Sequence, residues 1–427
     1  MAIAVSGSHQ AWAQSCDWLP GYGIPGMTLF SVNAATLWDP DGPGPAAELL
    51  VAAGRFEGAG EIATFNIAAW NGNAWQRFGP GLGTTASTVA ALTVYNGELV
   101  AGGTFTTAGE IACNHIARWD GSAWQPLGSG LNADVRALAV YNGQLIAGGT
   151  FTTAGDVAAS RIARWDGGTW QPLDSGMDGN VNTLTVFDND LIAGGAFGTA
   201  GGTACARIAR WNGSTWQPFG SGMDSTVNAL VVFNGQLVAG GSFLVAGGAT
   251  CNRVARWDGS AWQPFGIGMD NAIGGLTVFN DELIAGGAFT TADGAAANRI
   301  AQWDGSTWQP LGAGMNDSVS AVTVFNSELI AGGSFTGAGD AVCYRIARWN
   351  GSDWYALGQE GGMDNTVYAL TTYGAQLAAG GGLHHRRRRS SQTTSRCKRR
   401  RGIGTHLVRG LSEMSFLCSS THLRPAI

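Results

Sequence analysis

Arg161-Ile-Ala-Arg-Trp-Asp-Gly-Gly-Thr-Trp-Gln-Pro-Leu173 is written into this chain seven times with small changes. Its first tryptophan returns as Trp70, Trp119, Trp165, Trp211, Trp257, Trp303 and Trp349, after one interval of 49 residues and then at a constant 46. The second follows five residues later each time, as Trp75, Trp124, Trp170, Trp216, Trp262, Trp308 and Trp354, so fourteen of the 17 tryptophans share one periodic frame. Self-similarity at such a period marks a repeat architecture, and it outranks the prior that 427 residues make two or three unrelated domains.

Within one unit, 227–266, four short apolar segments predict four strands: Val227–Phe233, Gln236–Gly240, Arg253–Trp257 and Ala261–Phe265. Asn234-Gly235 separates the first two and Asp258-Gly259-Ser260 the last two, and both pairs read as hairpin turns with positive φ. A loop, Phe243–Asn252, joins the middle strands. The first strand is apolar on both faces, as expected for a strand covered on both sides. Gly-Gly pairs such as Gly148-Gly149, Gly240-Gly241 and Gly332-Gly333 remove side chains where backbones approach closely. One four-stranded sheet cannot supply that cover alone, whereas sheets stacked radially can.

The expected fold is therefore all-β, a β-propeller of four-stranded blades. Seven complete units begin near 32, 89, 135, 181, 227, 273 and 319, and an eighth begins at Val367 with two strands only. Residues 16–27 match the closing quarter of a repeat. The two ends together suggest a composite, damaged eighth blade; a seven-bladed ring and an open solenoid are the alternatives.

The composition suits short strands and tight turns, with 67 glycines, 45% hydrophobic and only 13% charged residues. Residues 1–15 carry Ala11-Trp12-Ala13, which reads as the remnant of a signal peptide, against a frayed terminus. Residues 16–382 form the expected propeller. After Gly381-Gly382 the repeat calls for Phe-Thr-Thr-Ala-Gly-Gly, but the chain reads Leu383-His384-His385-Arg386-Arg387-Arg388. One inserted cytosine in GC-rich codons converts the first into the second, so 383–427 reads as a frameshifted, disordered basic tail rather than a nucleic-acid or membrane tail. That tail holds 11 of the 24 Lys+Arg and one of the 30 acids, leaving the rest of the chain 13 basic and 29 acidic residues, a net of −16. An acidic body offers no footprint for nucleic acid, and no apolar run is long enough for a membrane-spanning helix.

The repeats resemble kelch repeats, in which an apolar strand ending in Gly-Gly precedes spaced aromatics around a turn; here Leu191-Ile-Ala-Gly-Gly195 precedes Trp211-Asn-Gly-Ser-Thr-Trp216. They depart from kelch in having Trp where Tyr is usual and a shorter final turn. They are closer to a kelch-like group found in secreted bacterial proteins and in the propellers of fungal cortical polarity markers. The resemblance spans about 32–382 and implies a secreted, periplasmic or cell-surface propeller, without implying a reaction.

Chemistry is sparse. Copper oxidases among kelch propellers need histidine ligands, and His115 is the only histidine within the repeats, at a position held by Arg161, Arg207 and Arg253 elsewhere. Cys113, Cys205, Cys251 and Cys343 share one repeat position with Ala159 and Ala297, as a small buried site would, with a Cys205–Cys251 disulfide as the alternative. Arg118, Arg164, Arg210, Arg256 and Arg348 precede the first tryptophan and read as cation–π partners of a neighbouring tryptophan or as inter-blade ion pairs, against a glycan-binding role.

An acid or amide follows Gly-Met or Gly-Leu in six loops between units: Asn132, Asp178, Asp224, Asp270, Asn316 and Asp364. Glu110, Asp156 and Asp340 fall on the same expected face. This candidate interaction rim could offer oxygen ligands to calcium or to a polar partner, or it could make side-chain turns. No cofactor other than calcium is suggested. The expected function is a non-catalytic, monomeric module binding a protein or polysaccharide. A glycan-active lyase or hydrolase at one mouth of the channel, and a purely structural surface repeat, are the alternatives.

Overall fold

The structure is a computed structural model that describes residues 27–28, 31–42, 44–45, 49–59, 62–71, 75–325, 328–343, 346–356, 367–373 and 376–381. All of these lie in one compact unit, Met1–Arg386. The leader at 1–15 and the tail at 383–427 fall outside the described residues, as does Asp364.

Every described element is a strand. Seven four-stranded antiparallel sheets follow one another along the chain, each with its strands in sequence order. They are blade 1 (Ser31–Arg77), blade 2 (Val89–Pro126), blade 3 (Val135–Pro172), blade 4 (Val181–Pro218), blade 5 (Val227–Pro264), blade 6 (Ile273–Pro310) and blade 7 (Val319–Ala356). First strands of consecutive blades adjoin, so they are the innermost. A two-stranded hairpin, Val367–Tyr373 with Gln376–Gly381, adjoins the first strand of blade 7 on one side and that of blade 1 on the other. No helix among the described residues is long and apolar enough to cross a membrane.

The hydrophobic cores lie between blades. One joins Phe187, Ile192, Ile208, Phe219 and Met223 of blade 4 to Val227, Leu237, Phe243, Cys251 and Trp262 of blade 5. From the second unit on, the second tryptophan bridges the boundary. Its indole N–H donates to a carbonyl of the preceding blade, from Trp124, Trp170, Trp216, Trp262, Trp308 and Trp354 to Phe78, Leu127, Leu173, Phe219, Phe265 and Leu311, at 2.7–3.0 Å. A buried indole needs such a partner, and here the repeat supplies it in register.

The Gly-Gly pair does two jobs. A Cβ on Gly240 would stand 2.8 Å from Ile273 of the next blade, and one on Gly241 would stand 2.1 Å from the carbonyl of Thr226 in its own blade. The first glycine therefore admits the neighbouring sheet, and the second admits the bulge that opens each first strand, between Val227 and Ala229 here.

Three local expectations are revised. Asn234 and Gly235 have φ of 49° and 70°, as a type I′ hairpin turn requires, but in the other turn only Gly259 is positive, at 100°. That turn is held instead by Asp258, whose carboxylate accepts the amides of Ser260 and Ala261. The middle loop contains a small ribbon, Val245–Ala246 with Ala249–Thr250. The first strand is covered on both faces, Leu230 packing against the core shared with blade 4 and Val231 against that shared with blade 6, but the cover is incomplete near its end, where Val140, Val186 and Val232 are exposed.

Candidate functional site

The loops between blades and the loops joining second to third strands form one face. Leu131, Met177, Met223, Met269 and Met315 bridge to Ala154, Ala200, Ala246, Ala292 and Ala338 in the following loop. Met27 pairs with Ala59 in the corresponding place.

The candidate rim is built into this junction. Asn132, Asp178, Asp224, Asp270 and Asn316 each accept two consecutive backbone amides from a loop 20 and 21 residues ahead, at 2.6–3.1 Å. Asn132 and Asn316 also donate to the hydroxyls of Thr152 and Thr336, and Asp270 accepts that of Thr290. Burial raises the pKa of Asp178, but the amides of Thr199 and Gly198 outweigh it, and the carboxyl is held below its ordinary value. In Asp270, burial is likewise outweighed by Thr290 and Thr291. Glu110, Asp156 and Asp340 stand exposed on the same face. Among the described residues no cluster of three or more His, Cys, Asp or Glu side chains is arranged to hold a metal ion.

Just before the third strand the chain passes through a left-handed residue. Asn66, His115, Arg161, Arg207, Arg253 and Arg299 have φ between 64° and 79°. The conformation costs a side-chain-bearing residue about 1–2 kcal/mol. It is imposed from both ends: Arg253 donates its amide to Phe243, and its carbonyl accepts from Gly241. The guanidinium of Arg253 then donates to the Ser242 carbonyl and that of Arg299 to the Ala288 carbonyl. His115 occupies the arginine position, with Nδ1 3.1 Å from the Gly103 carbonyl and 3.9 Å from Asp134.

The third-strand arginines are engaged within their own blades, not across blades. Arg118 pairs with Glu98 at 2.7 Å, Arg348 with Glu328 at 3.3 Å and Arg210 with Asp190 at 4.0 Å. Their aromatic partners are rings in or directly after their own fourth strand rather than tryptophans: Arg210 lies over Phe219, Arg256 over Phe265 and Arg348 over Tyr355. These rings follow the arginine by seven or nine residues across a hairpin.

The four repeat cysteines are buried free thiols, so Cys205 and Cys251 form no disulfide. Burial pushes the thiols of Cys113 and Cys343 up to about 11.

The sequence reading missed the apolar side chains of the loop face. Phe65, Ile111, Leu244, Ile267 and Val342 are exposed there, Ile267 by 66% and Val342 by 60%. The available signal was departure from the repeat: Ile267 stands where other units have Ser129, Ser175 and Ser221, and Leu244 where they have Thr106, Thr152 and Thr290. A cavity of about 320 Å³ also opens on this face, lined by Asn298, Arg299, Met315 and Asn316 among others.

The fold resembles solved propellers at low identity. The chain is similar to the computationally designed Ika8 protein, with a TM-score of 0.54, 18% identity, and coverage of 84% of this chain and 96% of that one. It is less similar to a chain of the mitotic checkpoint complex (TM-score 0.45, 12% identity, 78% and 94% covered). It is also less similar to the WD40 β-propeller domain of Doa1 (0.40, 11%, 84% and 92%). No curated protein sequence matches the chain. The family model for the Rax2 C-terminal β-propeller domain matches over 78–224, 168–322 and 214–371. Together these cover 78–371, or 294 of the 427 residues. On that extent of match, the chain belongs to the Rax2 C-terminal β-propeller family.

Proposed function

We propose that this protein is a non-catalytic, extracytoplasmic propeller that binds a protein partner through its loop-rich face. The observation that carries the reading is the exposed apolar set Phe65, Ile111, Leu244, Ile267 and Val342, all on that face. Leu244 and Ile267 belong to two loops joined through Asn252, and apolar side chains exposed side by side favour a macromolecular contact. Glu110, Asp156 and Asp340 would form its polar rim, while the loop amides and carboxylates at Asn132, Asp178, Asp224, Asp270 and Asn316 keep the loops in place. A polysaccharide needs aromatic platforms, and the tryptophans at 124, 170, 216, 262, 308 and 354 are buried between blades, which favours a protein over a glycan. Ala11-Trp12-Ala13 and the likeness to repeats of secreted bacterial proteins support export to the surface or beyond it.

We further infer an eighth blade shared by the two ends of the chain. Hairpin 367–381 adjoins both blade 1 and blade 7, and Met27 makes the pairing with Ala59 that closing segments make elsewhere. Both observations support a ring joined at that position.

The binding reading is tested by placing a photo-crosslinking residue at Ile267 or Val342, and as a control at Gly259 on the opposite face, in the full chain exposed to intact cells. One protein should be labelled from 267 and 342 and not from 259, and Leu244→Asp should abolish the labelling. Equal labelling from both faces, or labelling of polysaccharide, would refute it.

A further inference from the structure

Blades 5 and 6 break a charge pairing that blades 2, 4 and 7 keep. Where an acid opens the second strand it pairs with the arginine of the third, as in Glu98–Arg118, Asp190–Arg210 and Glu328–Arg348. Blade 5 keeps Arg256 but has Gln236 in place of the acid, and blade 6 keeps Glu282 but has Gln302 in place of the arginine. Arg256 rests against the Phe265 ring at 5.3 Å, with its Nε buried and without a hydrogen-bond partner. Glu282 makes no side-chain hydrogen bond or ion pair among the described residues.

Both line the same cavity, of about 250 Å³, between the two blades on the face of the short hairpin turns. Phe233, Phe265 and Trp303 wall it, and Asp281 and Asp304 stand at its edge. Asp304 already accepts the amides of Ser306 and Thr307 in its own turn. Blade 3 also has an arginine facing a glutamine, Arg164 with Gln144, but the acid of the following blade, Asp190, is taken by Arg210. The boundary between blades 5 and 6 is thus the one place among the described blades where an unpaired guanidinium and an unpaired strand carboxylate share a cavity.

We propose that this cavity binds a small amino acid of the basic kind. Its carboxylate pairs with Arg256, and its two cationic nitrogens pair with Glu282 and Asp281, while its aliphatic stem lies along the aromatic wall. The charges select this class. A neutral sugar leaves both signs unmatched, a simple anion faces Asp281 and Glu282, and a metal cation faces Arg256. The volume lies just below the usual range for small-molecule pockets, about 300–1,000 Å³, and suits a ligand of this size. The site is separate from the loop-rich face and does not depend on it.

The test is calorimetric titration of the full chain with L-lysine and L-arginine, with acetate and n-butylammonium as single-charge controls. Three variants borrow residues from the protein's own repeats, so folding is preserved and can be confirmed by circular dichroism. Arg256→Gln copies Gln302, Glu282→Gln copies Gln236, and Gln236→Glu rebuilds the ion pair of blades 2, 4 and 7. Each should weaken lysine and arginine binding by about tenfold or more. Gln236→Glu should do so while leaving both charged residues in place. Absence of binding to the unmodified chain, equal binding of either control, or retained binding in Gln236→Glu would overturn the proposal.

Discussion

Asp270 shows how a loop residue is used at the scale of one side chain. Its carboxylate takes the amides of Thr290 and Thr291 and the Thr290 hydroxyl, tying two loops that are far apart in sequence. Asn132 and Asn316 do the same with an amide oxygen, so the role needs an acceptor rather than a charge. Asp270→Asn is therefore expected to change urea-unfolding stability by no more than about 0.5 kcal/mol, and Asp270→Ala to cost about 1 kcal/mol. An acid or amide after Gly-Met was legible in the sequence; its partner was not, because hydrogen bonds over 20 residues exist only once the blade is assembled. The left-handed arginines were hidden for a similar reason. Nothing in Arg253 itself signals positive φ; the flanking backbone pairs impose it.

The same residues set the acid limit of stability. Asp258 lies well below the usual carboxylate range, chiefly through the Ala261 amide and then the Ser260 hydroxyl and amide, and Asp304 likewise through Thr307 and Ser306. Asp178 and Asp270 are also lowered, because their amide partners outweigh burial. Folding lowers these pKa values, so ionisation favours the folded state. The contribution is complete above the unfolded value of about 3.9 and is lost as pH falls through the folded values. The melting temperature should hold between about pH 7 and 5 and fall below about pH 4; a rise on acidification would contradict this assignment.

At the scale of the element, the unit that matters is a hairpin carrying a tryptophan toward the next sheet. Trp262 is buried and donates its indole N–H to Phe219 of blade 4 at 2.7 Å. Trp262→Phe should cost about 1–3 kcal/mol through the orphaned carbonyl, and Trp262→Ala about 3–5 kcal/mol through the cavity, read from urea midpoints. Strand order, the Asn-Gly turns and the role of Gly-Gly could be read from the repeat, since each depends on local spacing. The exposure of Val140, Val186 and Val232 near the end of the first strand could not, because valine is equally at home in a covered strand and beside solvent.

For the whole molecule, burial between blades makes the thiols a reporter of global integrity. Cys113, Cys205, Cys251 and Cys343 are free and buried, with their pKa values raised by desolvation. In a variant with Cys16, Cys397 and Cys418 changed to serine, a thiol reagent should label none of the four until the protein unfolds, and then all four together. Stepwise labelling of the native protein would show that boundaries between blades open independently.

The central claim is that each hydrophobic core belongs to two sheets, so no blade is stable by itself. The direct measurement is nuclear magnetic resonance and circular dichroism of an isolated blade, residues 227–264, at low concentration. The expected result is narrow amide dispersion and no cooperative melting, in contrast to the intact chain. A dispersed spectrum with a sharp thermal transition would show a self-sufficient sheet and contradict the account.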